Sequence, residues 1–430
     1  MKLTRFIWFS FFLIPASLLR GQDADTTLTV REVVVQGNEV TKDFVILREM
    51  ALRPGIELTQ DAIEHDRDQI YNLGLFNRVD VDYTTRGSDA IVYVTVNERW
   101  YLFPYPIFGL RYRDINKLYY GLGFSHQNFR GRNEKVHLSF ALGYDRWASL
   151  MYQNPKLTDG DDLYLNASLG VLEMHSLGSD DGGYLNTNAS AVVTLGKRFG
   201  FYQTLFATAG YEVWQVSQAA AGRTASASGR DAFPAVGLRY RYDTRNVREY
   251  ATDGGLLALA VTKSGFGESE VNLVSAGFDA RRYSPLGGGT AVGVRCMTNV
   301  VWGGIVPRYR RSFFGYDERI RGYFNDKIES ESQLLASTEL RVPILLPRYF
   351  EADFIQIPQF RMLRYGIYAA VFADAGRGWN RNDHVAARPW YGGVGAGLHF
   401  LLPYGATIRT EFAVNDRGAA EVYVDFDTSF

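Results

Sequence analysis

Cysteine is almost absent from this chain, with Cys296 as the only one among 430 residues. A lone cysteine forms no internal disulfide, and one so far from the N-terminus cannot carry a lipoprotein anchor there. The formal net charge of −1 gives no basic bias, so nucleic acid is not an expected partner. After residue 19 no apolar run approaches the roughly 20 residues that a membrane-spanning helix needs.

Sequence motifs for catalysis are absent as well. The chain has no Gly-x-Ser-x-Gly elbow, no His-Glu-x-x-His, no phosphate-binding loop and no Cys/His cluster. The acidic run at 159–162 lacks the spacing of an EF-hand and is better explained as a solvated turn. The sequence therefore predicts no enzymatic activity, no metal and no cofactor, with a membrane phospholipase as the enzymatic alternative. The six histidines are scattered: His65, His126, His137, His175, His384 and His399.

Residues 1–21 have the features of a secretory signal peptide. Lys2 and Arg5 precede an apolar run at 6–19, and Gly21 offers a small residue for cleavage. A membrane anchor is the alternative, but the run is shorter than a span of about 20 residues. An exported chain without helical spans is expected to be periplasmic, secreted or an outer-membrane barrel.

After a linker at 22–27, residues 28–99 are predicted to form a small α+β module. The order of elements is strand, helix, helix, strand, strand. Thr41 and Thr59 are placed to cap the two helices. Alternating valines predict the last two strands, at 79–83 and 92–96.

From residue 100 to 430 the pattern changes to short segments in which apolar residues alternate with small or charged ones. The clearest segments lie at 135–144, 236–243 and 393–402. A soluble sandwich would confine this pattern to one or two domains of ordinary length, whereas here it persists for 430 − 99 = 331 residues. About ten residues per strand and ten per connection give a mainly β fold, a transmembrane antiparallel barrel of roughly 16 strands.

The last segment resembles the C-terminal signal of outer-membrane barrels. Val422, Val424, Phe426 and Phe430 fall on one face of an alternating strand, and the final residue is aromatic.

A carboxylate in one predicted strand needs a cation. Phe372, Asp374 and Gly376 share a strand face, opposite to an apolar face. A charge facing lipid near the midplane costs about 2 to 4 kcal/mol, so Asp374 is expected to point into the lumen. Glu339 projects inward by the same alternation. The candidate cation is Arg321, in a loop motif whose members are Ile320, Arg321, Gly322 and Tyr323. A solvated loop, crowded with other arginines, is the alternative.

The chain resembles the BamA/TamA family (bacterial surface antigen superfamily) along its whole length, with a single POTRA domain. In the module the similarity rests on Gly37-Asn38, Arg48-Glu49-Met50, Gly55, 73–79 and 96–99. In the barrel it rests on motifs in the family's order: 128–131, Asn154-Pro155, 243–245, 252–255, 320–323, 337–343 and 372–376. The resemblance implies that the 320–323 loop folds into the barrel, where Arg321 meets Asp374 and Glu339.

The resemblance further implies a protein of the Gram-negative outer membrane that inserts or translocates polypeptides, with the POTRA domain in the periplasm. Its partners would be outer-membrane lipid, unfolded or exported polypeptide clients, and periplasmic or lipoprotein accessory subunits. The strands at 79–83 and 92–96 are expected to offer an edge to a client, and a seam between strands near 105–112 and 421–430 would be the gate. A passive pore or surface scaffold with a POTRA docking module is the alternative.

Overall fold

The computed structural model describes residues 28–111, 114–158, 160–176, 183–267, 269–314, 318–323 and 328–426. The predicted signal peptide (1–21), the linker (22–27) and Phe430 lie outside these residues. Across the described ranges, no helix has both the length and the hydropathy that crossing a membrane requires.

The N-terminal module has the predicted order of elements. It comprises β1 (Thr29–Gln36), α1 (Asp43–Leu47), α2 (Gln60–Tyr71), β2 (Phe76–Arg86) and β3 (Asp89–Glu98). The sheet order is β1-β3-β2, with β1 parallel and β2 antiparallel to β3. The prediction that 92–96 offers an edge is therefore wrong, because β3 is paired on both sides and only β1 and β2 are edge strands. Strand order within a sheet depends on tertiary pairing, which local alternation does not contain.

One of the two predicted helix caps is correct. The Thr59 hydroxyl accepts a hydrogen bond from the Ala62 N–H at 3.2 Å and begins α2. Thr41 caps nothing, since the residue before α1 is Lys42, without a side-chain cap. The Thr41 hydroxyl is buried instead and bonds to the Tyr101 hydroxyl at 3.0 Å and to Asn128 Nδ2 at 2.9 Å. A tertiary contact with the barrel has replaced the local cap.

The rest of the chain is a 16-stranded antiparallel sheet, which confirms the predicted fold class. Neighbouring strands pair in chain order except that β14 pairs with β17, while β15 and β16 form a separate hairpin. The edge strands are β4 and β21, and the described residues contain no ladder that joins them. The strands are β4 (Leu102–Leu110), β5 (Leu118–Phe129), β6 (Glu134–Gly143), β7 (Arg146–Asn154), β8 (Leu163–His175), β9 (Leu185–Phe199), β10 (Gln203–Val216), β11 (Arg230–Asp243), β12 (Gly254–Ser264), β13 (Leu273–Gly287), β14 (Thr290–Gly303), β15 (Ser312–Phe314), β16 (Ile328–Ser330), β17 (Ser332–Glu351), β18 (Met362–Trp379), β19 (Tyr391–Leu401), β20 (Thr407–Asn415) and β21 (Ala420–Phe426).

The two faces of the barrel strands differ as alternation predicts. On β6 the side chains of Leu138, Phe140 and Leu142 are exposed on the outside. On β18 Val371 is exposed, whereas Asp374 is buried. Because side chains alternate along a strand, the outer face is an apolar band suited to lipid and the inner face carries the polar groups.

The module lies against one end of the barrel, which we call the module-side end. Asn77 Nδ2 donates to the Gln359 carbonyl oxygen at 2.7 Å, and the Trp100 ring stacks on Phe360 with centroids 6.0 Å apart. Turns at 130–133, 155–158, 200–202, 244–253, 352–361 and 402–406 contact residues of the module or its junction with β4. The module thus covers this mouth of the barrel.

The described parts of the long connection between β14 and β17 (304–314, 318–323 and 328–331) lie inside the barrel, and we call this connection the lumen loop (304–331). Its buried side chains Phe314, Ile320 and Tyr323 form an apolar cluster with Met297 and Leu335 of the wall. Burial of these side chains ties the loop to the barrel interior rather than to solvent.

Candidate functional site in the barrel lumen

The guanidinium of Arg321 is enclosed by carboxylates of the barrel wall. Nε and Nη2 donate to the two oxygens of Asp374, each at 2.7 Å. Nη1 donates to Glu339 Oε2 at 2.5 Å and lies 3.5 Å from Glu411 Oε1. The forked pair with Asp374 uses the planar geometry of arginine, and the side chain of Arg321 is almost completely buried.

Hydrogen bonds to the barrel wall also fix the backbone around Arg321. The Arg321 N–H donates to Asp374 Oδ2 at 3.0 Å, and the Gly322 carbonyl accepts from Asn415 Nδ2 at 2.9 Å. Gly322 has a φ of +97°, a conformation that other residues rarely adopt. A Cβ atom on Gly393 would clash with the Arg321 carbonyl oxygen, so glycine at that position lets the loop backbone lie directly on β19.

Three other members of the predicted motifs also pack at this point. The Phe372 ring lies under the guanidinium of Arg321, with 3.6 Å from Cζ to the ring centroid. The Ile320 side chain lies over Gly376. The Tyr323 hydroxyl donates to Asp416, and its ring meets Tyr391 edge-on. The structure thus brings every member of the two predicted motifs, together with Glu339, into one site.

Several residues that the sequence interpretation did not name extend this site. Arg341 Nε donates to Glu339 Oε1 at 2.8 Å. Glu411 accepts from Arg409 Nη2 at 3.2 Å and from the Tyr423 hydroxyl at 2.6 Å. We call the following set the lumen cluster: Arg321, Arg341, Arg409, Glu339, Asp374, Glu411 and His399.

His399 connects the lumen cluster to a turn at the module-side end. Its Nε2 lies 3.1 Å from Glu411 Oε1, and its Nδ1 lies 2.8 Å from the Tyr250 hydroxyl. One tautomer satisfies both contacts, with Nε2–H donating to the carboxylate and Nδ1 accepting from the hydroxyl. With His399 neutral, the lumen cluster has three guanidinium and three carboxylate groups and no net charge.

A metal ion does not fit this arrangement, although Glu339, His399 and Glu411 offer ligand atoms within 4.8 Å of one another. Both carboxylates already accept hydrogen bonds from arginines. A divalent cation would have to displace these donors and sit beside three guanidinium groups, which is electrostatically unfavourable. The chemistry that the cluster supports is attachment of the loop to the wall.

The other arginines of the lumen loop are paired as well. Arg308 and Arg311 each contact Glu329, at 3.1 and 2.9 Å. Arg310 pairs with Glu212 at 2.6 Å, and Arg319 pairs with Asp425 at 2.5 Å. The solvated-loop alternative therefore does not describe these side chains. Because Asp425 belongs to β21, the loop also reaches the edge strand of the sheet.

The β11–β12 connection enters the lumen from the module-side end, and we call it the linking turn (244–253). The Ala251 carbonyl accepts from Arg341 Nη1 at 2.7 Å, and the ring of buried Tyr250 lies 4.2 Å from Arg341 Cζ. Burial, with the nearby Glu339 carboxylate acting in the same direction, raises the pKa of Tyr250 against the effect of Arg341. The Tyr250 hydroxyl is therefore protonated and can donate to His399.

The same linking turn is bonded to the module. The Tyr71 hydroxyl donates to Glu249 Oε2 at 3.0 Å, and the backbone N–H of Arg248 donates to Asn72 Oδ1 at 2.8 Å. Burial and the Glu249 carboxylate raise the pKa of Tyr71 to about 12 against two nearby arginines, so its hydroxyl is also protonated. One ten-residue turn thus contacts both the module and the lumen cluster.

An ion pair between Glu49 of the module and Arg198 of the barrel lies beside this turn, and we call it the Glu49–Arg198 clamp. Arg198 donates to both oxygens of Glu49, each at 2.7 Å. Burial raises the pKa of Glu49, but the hydrogen bond and charge of Arg198, with the charges of Arg48 and Arg248, outweigh that effect and hold the pKa below its usual value. Glu49 is therefore ionised at neutral pH.

Part of the lumen cluster carried a signal in the sequence. Arg409 and Glu411 lie two apart on one strand face, as Glu339 and Arg341 do, so the alternation that located Asp374 also locates them. The Tyr250 contact could not be found this way because it joins a turn to a strand 149 residues away. At the C-terminal signal, Val422, Val424 and Phe426 are exposed on the outer face of β21.

The fold and the site together define a class of protein: a transmembrane β-barrel with an α+β module on one mouth and a lumen loop anchored by a buried arginine. The Omp85 superfamily domain matches residues 128–429, and a POTRA domain, described as a surface antigen variable number repeat, matches residues 28–99. The chain belongs to the Omp85 superfamily.

Solved structures with a similar fold agree with this assignment. The crystal structure of BamA from Haemophilus ducreyi lacking POTRA domains 1–3 has a TM-score of 0.56 at 18% identity, over 94% of this chain and 85% of that one. CdiB from Escherichia coli has a TM-score of 0.58 at 11% identity, over 93% and 76%. CdiB from Acinetobacter baumannii has 0.50 at 13%, over 93% and 73%. At these identities the likeness concerns the fold.

Proposed function

We propose that this protein inserts or translocates polypeptides at the outer membrane of a Gram-negative bacterium, with its POTRA module in the periplasm. The observation that carries the proposal is the pairing of a module docked over one mouth with an Omp85 barrel whose edge strands are β4 and β21. Omp85 members, BamA and CdiB among them, insert or translocate polypeptides. The apolar outer band accounts for outer-membrane lipid as a partner.

In this proposal a client pairs with exposed strand edges. Within the module the open edges belong to β1 and β2, and within the barrel they belong to β4 and β21. An extended segment can add to such an edge through backbone hydrogen bonds. The seam between β4 and β21 is then the place where a strand of a client would enter the membrane.

The lumen cluster has a bracing role in this mechanism. Through Arg321 it connects strands β17, β18 and β20, and through Arg319 the loop also holds β21. A second anchor joins Glu318 of the loop to Arg295 of β14, at 2.8 Å. Insertion at the seam leaves these contacts in place, whereas passage of a chain through this part of the lumen requires them to open.

Two measurements test the function. Purified protein reconstituted in vesicles is expected to accelerate the folding of a urea-denatured outer-membrane barrel into those vesicles, relative to empty vesicles. Depletion of the protein in its own bacterium is expected to reduce the level of folded outer-membrane barrels or of secreted polypeptide. Normal barrel assembly and secretion after depletion, combined with reduced flux of small solutes, would sink the proposal.

A passive pore or surface scaffold is the second candidate, and the wall opposite the lumen cluster favours it. A cavity of about 160 Å³ there is lined by the polar or charged Thr208, Thr262, Glu212 and Arg239 together with the apolar Val192, Val236 and Leu238, and Arg310 of the lumen loop reaches it. The polar groups of this wall are of the kind that faces water in channel-forming barrels. Single-channel recordings separate the candidates: a stable open conductance without folding activity favours the pore, and folding activity from a closed barrel excludes it.

We also propose that the protein is not an enzyme. Both ring nitrogens of buried His399 are occupied, by Glu411 and Tyr250, so this histidine is not available as a general base for a serine. Phospholipase activity of the purified protein that a serine-directed inhibitor abolishes would contradict this. Accessory subunits that bind the module would be found by purifying the protein with its native partners and identifying what accompanies it.

A further inference from the structure

A second site lies where the POTRA module meets the barrel, away from the lumen cluster. It is a cavity of about 320 Å³, within the range of small-molecule sites. Module residues, including Arg48 and Asn72, form one side, and barrel residues at the start of β6 and the end of β11 form the other. The lining contains five cations and three carboxylates: Arg48, Lys135, Arg198, Arg241, Arg248, Glu49, Asp162 and Asp243. Five minus three leaves an excess of two positive charges.

The carboxylates do not neutralise the cations evenly. Glu49 is taken by Arg198 and Arg48. Asp243 is bound through both oxygens by Arg245, at 2.9 Å each, and also contacts Arg248 at 3.3 Å. These pairs leave the excess charge on the barrel side of the cavity.

Two of the lining cations have no carboxylate partner. Within the described part of the chain, neither Lys135 nor Arg241 forms an ion pair. The Arg241 guanidinium lies 5.7 Å from the Phe206 ring centroid, and the charge of Asp243 acts on it without a hydrogen bond. The Nε atom of Arg241 is buried and donates no hydrogen bond to a described residue, whereas the buried Nε atom of Arg248 lies 3.3 Å from Asp243 Oδ2. Burial lowers the pKa of Arg248 despite the opposing charge of Asp243, as expected where like charges crowd.

Buried donors and unpaired cations are unfavourable unless an acceptor satisfies them. A group with two negative charges and several oxygens matches an excess of two positive charges and two forked guanidinium groups. Phosphate is such a group, since a phosphate monoester carries about −1.5 to −2 charges at neutral pH. Gln153, Tyr164 and Thr204 add uncharged hydrogen-bonding groups to the same lining.

We propose that this cavity binds a phosphate group and that the bound phosphate fastens the POTRA module to the barrel. Lys135, Arg241 and Arg248 are the binding residues, and Arg48 is the cation on the module side of the cavity. The phosphate belongs either to a lipid headgroup or to a free phosphate compound. This binding does not depend on whether the barrel inserts or translocates polypeptides, because it involves only the interface between the module and the barrel.

The test is calorimetric titration of the full-length protein in uncharged detergent, at ionic strength held constant with chloride. Inorganic phosphate and dihexanoyl phosphatidate are the two probes. Saturable binding of both with similar affinity identifies a site for free phosphate compounds, and binding of phosphatidate at least tenfold tighter identifies a lipid headgroup site. Absence of saturable binding of either probe overturns the proposal.

Variants assign the binding to this cavity. Lys135→Met and Arg241→Gln are each expected to weaken binding by about tenfold or more, as loss of one charge-assisted hydrogen bond does. Arg239→Gln is the matched control, because Arg239 lies two residues away on the same face of β11 and lines a different cavity. A heat-shift gel confirms that each variant is folded. Equal weakening by Arg239→Gln, or none by the other two, contradicts the assignment.

Fastening of the module to the barrel is tested by a distance measurement. Two spin labels, attached without a disulfide bond, are placed on the exposed edge of the module and on the barrel. The distance between them is measured with and without phosphate. A narrower distance distribution on phosphate addition, lost in Arg241→Gln, supports fastening of the module. An acidic peptide that binds with the same dependence on Lys135 and Arg241, where phosphate does not, would replace phosphate as the ligand class and refute the proposal.

Discussion

Replacement of Arg321 by alanine is the most direct test of the lumen cluster. The side chains of Asp374, Glu339 and Glu411 are at most 1% exposed, so the variant leaves buried carboxylates without their shared donor. Removal of one partner from a buried ion pair destabilises by about 3 to 5 kcal/mol. Arg341 and Arg409 remain beside Glu339 and Glu411, so Asp374 bears most of the loss. We expect Arg321→Ala to be exported but less stable.

The assay is the heat-modifiable gel shift, run as a temperature series at one heating rate because barrel unfolding is expected to be irreversible. A loss of this size lowers the midpoint by an amount on the order of 10 °C. Arg146→Ala is the matched control, since Arg146 pairs with Glu173 across β7 and β8 at the surface, where such pairs contribute about 0 to 1 kcal/mol. Asp374→Ala and the double variant complete a cycle. Unchanged stability and unchanged folding activity in Arg321→Ala would refute the bracing role.

The remaining predictions concern the contacts around this pair. Gly393→Val is expected to displace the lumen loop, because a side chain there clashes with the Arg321 carbonyl, and protease cleavage within 304–331 would report it. Tyr250→Phe leaves buried His399 Nδ1 without a donor and is expected to lower stability by about 1 to 3 kcal/mol in the same gel series. The Glu49–Arg198 clamp is expected to be pH-dependent. Since the docked pKa of Glu49 lies below its usual 4.5, its contribution is complete above that value and is lost as the pH falls through the docked pKa. Spin-label distances measured from pH 7 to pH 3 would show the module separating, and Glu49→Gln would remove the dependence.

The sequence predicted those parts of the molecule that depend on alternation and on motif order. Alternation placed Asp374 and Glu339 on the inner face, and the motif order indicated Arg321 as their partner. The local sequence pattern gave Thr41 the wrong role, that of a helix cap, because the Thr41 hydroxyl bonds instead to a barrel residue 87 positions away. The local pattern also could not give the order β1-β3-β2, because parallel pairing of β1 with β3 is a tertiary choice. Glu411 and Arg409 carried the same inward alternation as Glu339 and could have been predicted.

The contacts of the linking turn relate the module to the lumen more closely than either site does alone. Glu249 bonds to Tyr71 of the module, the next residue bonds to His399, and the one after that bonds to Arg341. Because these three residues are consecutive, a movement of the module that pulls on Glu249 acts on the backbone that holds both lumen contacts. Continuity of contacts does not by itself make a switch, since a switch also requires two arrangements of the turn. If the loss of stability in the Tyr71→Phe, Arg321→Ala double variant differs from the sum of the two separate losses by more than about 0.5 kcal/mol, the two sites share such an element, because the two residues do not touch.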